Sequence, residues 1–449
     1  MHKKTVITYG TFDLFHAGHL RLLERAKSLA RGGRLIVGVT SEAYDKERGK
    51  LNVVDTLVKR IDSVRNTGLV DDVLVEEFEG QKIADIQRHN ADIFVIGSDW
   101  TGKFDYLKKF CDVIYLERTK DVSSTEIRNN AAVILRGGII GSGRIAKRFL
   151  YESKLVSGIT FDYVYNPNAE HAAAFAQTCE LKRGTNELDE LFANSDVIYI
   201  ASPHNTHYAY AKAAILAGKH VLCEKPLALS ECEAIELAAL AEKQGVVFME
   251  ALKTAFSPGF RHLINLTRSG IVGRIFDIDA TFTKLITDKT SREYQAAQAG
   301  GSITELGSYA FCPIIKLLGV PNPGDIKCVS FFDNESNVDI FSTGSISYAN
   351  AIAKFRVAIG GKSEGSLIIS GERGYIYVPS PWWKTEYFEL RDDNGTPIKR
   401  FFYQFHGDGL RYELAEFVTT INTKSPLLSW TLDDSIAAAR CIETCLAAK

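Results

Sequence analysis

The chain has 449 residues, 45% of them hydrophobic and 24% charged, with a formal net charge of −2. That length exceeds one ordinary core and implies more than one domain, and the near-neutral charge gives no field for nucleic acid or an acidic membrane. No apolar run reaches bilayer length, the opening MHKKTVITYGTFD enters a strand rather than a signal-peptide core, and eight scattered cysteines without a C-x-x-C pair suit a reducing cytoplasm.

In chain order, a strand at 4–8 leads through a small-residue turn into an amphipathic helix at 19–30, with Leu20, Leu23 and Ala26 at helical spacing. Strands at 35–40, 72–76, 93–96 and 113–116 alternate with helices at 57–67 and 83–90. This alternation predicts a parallel sheet with ligands at the strand C-terminal ends. Within Gly10-Thr11-Phe12-Asp13-Leu14-Phe15-His16-Ala17-Gly18-His19, the two histidines are three apart at a helix start and share one face. Gly18 lets a phosphate approach the backbone, and imidazoles at a helix N-terminus suit negative charge building on phosphorus. The other reading is helix capping. A metal site is not expected, since the pair lacks carboxylate or thiolate company.

GTFDLFHAGH resembles the signature of nucleotidyltransferases of the cytidylyltransferase family. GSDWTGKFDYL and RTKDVSSTEI resemble that family's glycerol-3-phosphate cytidylyltransferases, over residues 3 to about 128. The resemblance implies that His16 and His19 stabilise the transition state at the α-phosphate of CTP. It implies further that Arg118, Ser123, Ser124 and Thr125 close over the triphosphate, with Arg60 and a lysine, Lys50 or Lys46, on phosphates. Thr11, Phe12, Asp13, Gly18, Asp99 and Trp100 complete the implied CTP site, with Mg2+ accompanying CTP. Asp121 stands where the family more often has glycine. Alone, Ser123-x-x-Glu126 reads as a capping box. The implied chemistry is in-line attack of a substrate phosphate oxygen on the α-phosphorus with loss of pyrophosphate, so positioning supplies most of the catalysis.

At the seam, RTKDVSSTEIRNNAAVILRGGIIGSGRIA carries two phosphate-binding shapes with hardly any linker between them. A strand at 133–140 runs into Gly141-x-Gly143-x-x-Ala146, a helix at 145–150 follows, and the next strand, 160–165, comes at a Rossmann interval. Asn166 sits where the ribose reader is expected. It is neither acidic nor basic, so NAD and NADP both stay open. Helices at 169–178 and 186–193 precede a strand at 197–201, the loop Ser202-Pro203-His204-Asn205-Thr206-His207, and a strand at 219–223 entering Glu224-Lys225-Pro226. Pro226 biases Lys225 to an extended conformation, with its amine at a strand end.

ASPHNTHYAYAKAAILAGKHVLCEKPLAL resembles the glucose–fructose oxidoreductase-like, inositol dehydrogenase-like NAD(P)-dependent oxidoreductases, from Val133 to the C-terminus. This implies an NAD(P)H site formed by Gly141, Gly143, Arg144, Ile145, Asn166, Ser202, Pro203, His204, His207 and Glu224, with Lys225 beside the nicotinamide. Strands at 275–282, 326–332, 343–349, 352–358, 364–370 and 375–378 predict an open, mostly antiparallel sheet. Gly300 to Tyr309 resembles the family's GGxxxDxGxY segment, which makes Tyr309 the implied acid–base group and puts Glu305 in place of the usual aspartate. An isolated helical tyrosine would instead be a core residue. The segment 379–383, with its paired tryptophans, receives no role. Helices at 412–421 and 433–448 are expected to pack onto the Rossmann domain, and a bare sheet face implies a homodimer.

The expected architecture is α/β: a Rossmann-like nucleotidyltransferase domain at 1–130, a Rossmann dinucleotide-binding domain at 131–252, and an α+β domain with an open antiparallel sheet at 253–449. The expected function is a cytoplasmic bifunctional enzyme that reduces a sugar phosphate to an alditol phosphate and couples it to CTP. Its product would be a CDP-activated polyol for bacterial surface polysaccharides. One alternative has the reductase act on the CDP-linked product; another makes the first domain a CTP sensor on a lone oxidoreductase. The expected partners are small-molecule substrates, with no nucleic acid and no membrane.

Overall fold

Short apolar runs become central strands wherever helices cover both sheet faces. In the computed structural model, which describes residues 3–15, 17–50, 53, 55–78, 80–117, 134–423 and 429–448, the chain forms two compact units. These are Met1–Ile134 with Leu155–Gly158, and Leu135–Lys154 with Ile159–Lys449.

In the first unit, β1 (Val6–Gly10), β2 (Leu35–Thr40), β3 (Asp72–Glu76), β4 (Ile93–Gly97) and β5 (Asp112–Leu116) form a parallel sheet in the order β3-β2-β1-β4-β5. The helices are α1 (Ala17–Leu29), α2 (Glu42–Glu47), α3 (Leu57–Arg65) and α4 (Gln81–Arg88). Every residue of β2 is buried. One face of the sheet packs Val37, Val39 and Val95 against Leu23, Ala26 and Ala30 of the α1 region, and the other packs Ile36, Phe94 and Ile96 with Ile86. Strand order reverses at β1 and β4, so the loops leaving those strands flank a crevice. The first strand lies two residues later than expected, held by the register Val6↔Leu35. Helix α2 was not anticipated; Ser41 starts it by accepting from Tyr44 N at 3.1 Å.

The second unit begins with β6 (Leu135–Ile140), β7 (Ile159–Tyr165), β8 (Arg183–Thr185), β9 (Val197–Ile200), β10 (His220–Glu224) and β11 (Phe248–Ala251), all parallel in the order β11-β10-β9-β6-β7-β8. Its helices are α5 (Arg144–Ser153), α6 (Ala169–Thr178), α7 (Leu188–Ala193), α8 (His207–Leu216) and α9 (Glu231–Gln244). Ser230 caps α9, and Gly245 ends it at φ 66°, a left-handed turn that glycine adopts without a Cβ penalty.

Short helices α10 (Lys253–Phe256) and α11 (Pro258–Arg268) lead to the large sheet. Its strands are β12 (Ile275–Thr283), β13 (Ile326–Phe332), β14 (Asp339–Ser347), β15 (Ile352–Ala358), β16 (Leu367–Gly371), β17 (Gly374–Val378), β18 (Tyr387–Arg391) and β19 (Pro397–Phe402), ordered β13-β14-β15-β12-β16-β17-β18-β19. Only the β12–β15 pair in it is parallel. Helix α12 (Ser302–Leu318), buried along most of its length, lies on this sheet, with Phe311 edge-on to Phe355 at 5.0 Å. Helix α13 (Leu410–Thr423) docks on α5, where buried Glu152 accepts from Arg411 Nε at 3.2 Å. Helix α14 (Leu432–Ala447), with a Thr431–Asp434 capping box, packs between α9 and α12. No helix among the described residues is long and apolar enough to cross a membrane.

Candidate active sites

In the first unit the loop after β1 turns through two non-glycine residues at positive φ, Phe12 (53°) and Leu14 (46°). Phe12 is buried, and His19 in the first turns of α1 lies 5.3 Å from the Phe12 ring and 5.5 Å from Phe15. Gly18 precedes it in the same helix. Two carboxylates fix the loop: Asp13 accepts from Asp55 N at 2.9 Å, and Asp55 accepts from Leu14 N at 3.1 Å. Thr11 Oγ1 donates to Asp45 Oδ1 at 2.8 Å.

Arg60, fully buried, ties these strand ends together. Its Nη1 donates to the carbonyls of Thr11 (2.9 Å) and Thr40 (2.7 Å), its Nε donates to Asp55 O (3.0 Å), and Asp45 Oδ2 stands 3.3 Å away. Nη2 is buried without a partner, which leaves one guanidinium nitrogen to meet an anion. Burial raises the pKa of the Asp45 carboxyl, with Lys50 acting against it. Asp99 and Trp100 end the short turn after β4, and Lys103 Nζ sits 4.8 Å over the Trp100 ring. His16, Arg118, Ser123, Ser124 and Thr125 lie outside the described residues.

In the second unit Gly141 has φ +105°, and a Cβ there would come within 2.6 Å of Ala201 O, so only glycine lets β6 turn so close to β9. Gly143 is the N-cap of α5, makes no side-chain cap, and faces open space. Together they leave a bare helix N-terminus, a cradle that fits a dinucleotide pyrophosphate. Arg144 and Ile145 open the helix, and Arg144 Nη2 donates to Glu293 Oε1 at 2.9 Å. Asn166 Nδ2 donates to Ser142 Oγ at 2.8 Å, and its Oδ1 accepts from Asn168 N at 2.8 Å.

In the loop after β9, Pro203 leads into a turn where Thr206 Oγ1 donates to Ser202 Oγ at 2.7 Å. The two ring nitrogens of His207 lie 2.8 Å from Pro226 O and 3.0 Å from Ser202 O; burial nevertheless brings its pKa down to about 4. Burial also holds His204 well below the usual imidazole range, with Lys225 adding to the effect, and its Nδ1 lies 3.1 Å from Ala299 O.

Lys225 follows β10 and is almost fully buried. Its Nζ donates to Glu305 O at 2.8 Å, stands 3.4 Å from Glu305 Oε2, and lies 5.8 Å from the centre of the Tyr309 ring. Arg292 Nη2 donates to the same carboxylate oxygen at 2.7 Å. Burial opposes the charge on Glu305, but Lys225, His204 and Arg292 overcome it and hold the carboxyl well below the ordinary range. Glu224 accepts from Tyr199 OH at 2.7 Å, and burial raises its pKa.

Tyr309 is buried on α12, and its hydroxyl has no hydrogen-bond partner among the described residues. Burial, then the carboxylates of Glu224, Glu413 and Glu305, push its pKa well above the phenol range. Its ring meets Phe282 edge-on at 5.2 Å, and Phe282 stacks on Trp383 at 3.5 Å. The 379–383 segment, given no role from sequence, thus lies two rings from Tyr309. Sequence reasoning also passed over Arg292, Lys253 and Glu413. Arg292 sits eight residues before the GG segment, in a stretch with no motif of its own.

Fold and geometry define a nucleotide-binding α/β unit joined to a dinucleotide-dependent oxidoreductase unit. The description "Cytidylyltransferase-like" matches residues 7–130, and "Oxidoreductase family, NAD-binding Rossmann fold" matches residues 135–252. The chain belongs to both families: it is a cytidylyltransferase fused to an NAD(P)-dependent oxidoreductase of the glucose–fructose oxidoreductase/inositol dehydrogenase type. It is 49% identical over 129 residues to glycerol-3-phosphate cytidylyltransferase of Bacillus spizizenii, covering 29% of this chain and 98% of that protein. It is 30% identical over 318 residues to scyllo-inositol 2-dehydrogenase (NADP(+)) IolU of Bacillus subtilis, covering 69% of this chain and 95% of that one. Levoglucosan dehydrogenase in complex with NADH and levoglucosan shares the fold, with TM-score 0.63 at 18% identity, over 70% of this chain and 96% of that one.

Proposed function

We propose that the protein makes a CDP-activated polyol. The oxidoreductase unit reduces a sugar phosphate to an alditol phosphate, and the cytidylyltransferase unit joins that phosphate to CTP with release of pyrophosphate. The observation that carries this reading is the pairing, in one chain, of glycerol-phosphate-type transferase motifs with a Lys225–Tyr309 site at the end of a Rossmann strand. The relatives' names support it, since one acts on glycerol 3-phosphate and the other on an inositol. The product would enter bacterial surface polysaccharides, and the cytoplasm is where CTP and NAD(P)H are available.

In the transferase, His16 and His19 stabilise charge on the α-phosphorus as the alditol phosphate oxygen attacks in line. Arg60, Lys50, Arg118, Ser123, Ser124 and Thr125 hold phosphates, and Thr11, Phe12, Asp13, Gly18, Asp99 and Trp100 shape the nucleotide site. Mg2+ travels with CTP. In the reductase, bound NAD(P)H supplies the hydride. Gly141, Gly143, Arg144 and Ile145 receive its pyrophosphate, Asn166 meets the ribose, and Ser202, Pro203, His204, His207 and Glu224 line the nicotinamide end. Lys225 stabilises negative charge on the carbonyl oxygen, and Tyr309 passes its proton to the alkoxide as that charge develops. The raised pKa of Tyr309 keeps the proton in place until a stronger base forms. A homodimer through the large sheet is supported by the exposed side chains of Val329, Phe331 and Ile352.

The test is pyrophosphate release from CTP and Mg2+ across three- to six-carbon alditol phosphates, beside NADPH and NADH oxidation with the matching aldose and ketose phosphates. One carbon skeleton preferred in both assays is the expected result. A transferase substrate whose carbonyl precursor oxidises no cofactor would favour reduction after CDP transfer. Binding of CTP by His16→Ala or His19→Ala with pyrophosphate release lost separates catalysis from a sensor role.

A further inference from the structure

Near Tyr309 and Glu224, two ionisable side chains make no hydrogen bond among the described residues. Glu413, on α13, is fully buried, and neither carboxylate oxygen accepts a hydrogen bond. Lys253, at the start of α10 where β11 ends, is half-buried, and its amine makes no hydrogen bond or ion pair. The two lie within electrostatic reach of each other and of Glu224, and Glu413 also acts on Tyr309. Leaving such buried groups without hydrogen bonds costs each its desolvation free energy. They differ from neighbouring Glu152 and Glu250, which are satisfied by Arg411 and by Trp430 Nε1. The Tyr309 hydroxyl, equally unpartnered, adds a third polar head to the same group.

We propose that Glu413 and Lys253 hold the non-reacting hydroxyls of a polyhydroxylated substrate whose reacting carbon lies at Lys225 and Tyr309. This rests on the reading of Lys225 and Tyr309 as the hydride-transfer site. A buried carboxyl whose two oxygens lack hydrogen-bond partners, with an amine in electrostatic reach of it, can accept from and donate to a chain of neighbouring hydroxyls. Burial keeps Glu413 protonated above the usual carboxylate range, so it donates as well as accepts. The ring wall of Phe282 and Trp383 supplies an apolar side to the space next to Tyr309.

The experiment uses the full-length protein and measures reductase KM across three- to six-carbon aldose and ketose phosphates for wild type, Glu413→Gln and Lys253→Met. Both variants are expected to raise KM for five- and six-carbon substrates by about 10- to 100-fold, with little effect on the three-carbon substrate and none on KM for NAD(P)H. Wild-type turnover with unchanged sugar KM in both variants overturns this inference and leaves the hydride-transfer reading standing. Sugar and cofactor KM rising together would mark a structural role and equally overturn it. Wild type that oxidises no cofactor with any of these sugar phosphates overturns both.

Discussion

Lys225 Nζ donates to the backbone carbonyl of Glu305 at 2.8 Å and stands 3.4 Å from the carboxylate of that same residue. One amine at the end of a Rossmann strand is thus fixed twice to a helix of the large-sheet half. Glu305 replaces the aspartate expected in this segment, and its longer side chain also meets Arg292 at 2.7 Å. The Lys225 amine lies 5.8 Å from the ring centre of Tyr309, one turn further along α12.

Lys225→Met is expected to lower reductase kcat by roughly 10²- to 10⁴-fold while pyrophosphate release from CTP stays at the wild-type rate. Tyr309→Phe keeps the ring against Phe282 and under Lys225 but removes the transferable proton. Its loss should fall in kcat more than in cofactor KM. NAD(P)H oxidation and pyrophosphate release on one preparation check both, and equal loss in the two assays would point to misfolding.

His207 gives a pH dependence of stability with a definite sign. Its folded pKa is brought to about 4 by burial, although the Pro226 and Ser202 carbonyls favour the charged ring. The unfolded imidazole titrates near 6.5. Between these values the unfolded chain binds a proton that the folded chain does not. Stability from this group is therefore full above about pH 6.5 and is lost as pH falls toward 4, by roughly 3 kcal/mol. His207→Asn should flatten that slope in urea unfolding measured across the window; an unchanged slope would assign it to other groups.

How far the sequence could be read follows from how local each signal is. The ends of α6 were legible because Asn168 caps its first turn by accepting from His171 N, which is written in adjacent residues. The two glycines after β6 were legible from their spacing between a strand and a helix, and at Gly141 the approach to Ala201 excludes a Cβ. Helix α8 was passed over because its alanines and tyrosines form no clear apolar stripe while Ala211, Ala214 and Ile215 are buried. Strands β18 and β19 were missed because charged residues such as Glu389, Lys399 and Arg400 break their apolar pattern at the sheet edge. Arg292, Lys253 and Glu413 carry no motif; Arg292 reaches Glu305, and Glu413 comes within electrostatic reach of Lys253 and Tyr309, only through tertiary convergence.

Arg60 predicts a stability effect in the first unit. Arg60→Met removes the donors held by the carbonyls of Thr11, Thr40 and Asp55 and leaves buried Asp45 without its guanidinium. Breaking a buried pair in this way costs about 3–5 kcal/mol. Thermal unfolding should lower the transition of the first unit, and pyrophosphate release should fall with it, while NAD(P)H oxidation is retained. Arg60→Met combined with Asp45→Asn should recover part of the loss, because the buried carboxylate, left with only Lys50 and Arg48 as cationic neighbours, is then gone.

On the proposed reading, Asn166 is the residue that meets the ribose of the dinucleotide. Its amide nitrogen donates to Ser142 Oγ and its oxygen accepts from Asn168 N, so the side chain is neutral and held from both ends. A carboxylate here would accept from the two ribose hydroxyls and repel a 2′-phosphate, whereas the amide repels neither cofactor. Asn166→Asp is therefore expected to lower the NADPH-to-NADH ratio of kcat/KM by about 10- to 100-fold, or about 1.4–2.7 kcal/mol. The loss should appear mainly as a higher KM for NADPH, with sugar KM unchanged. A ratio that stays put would mean the 2′-position lies away from Asn166, and the reader of the ribose would have to be sought on the first turn of α6.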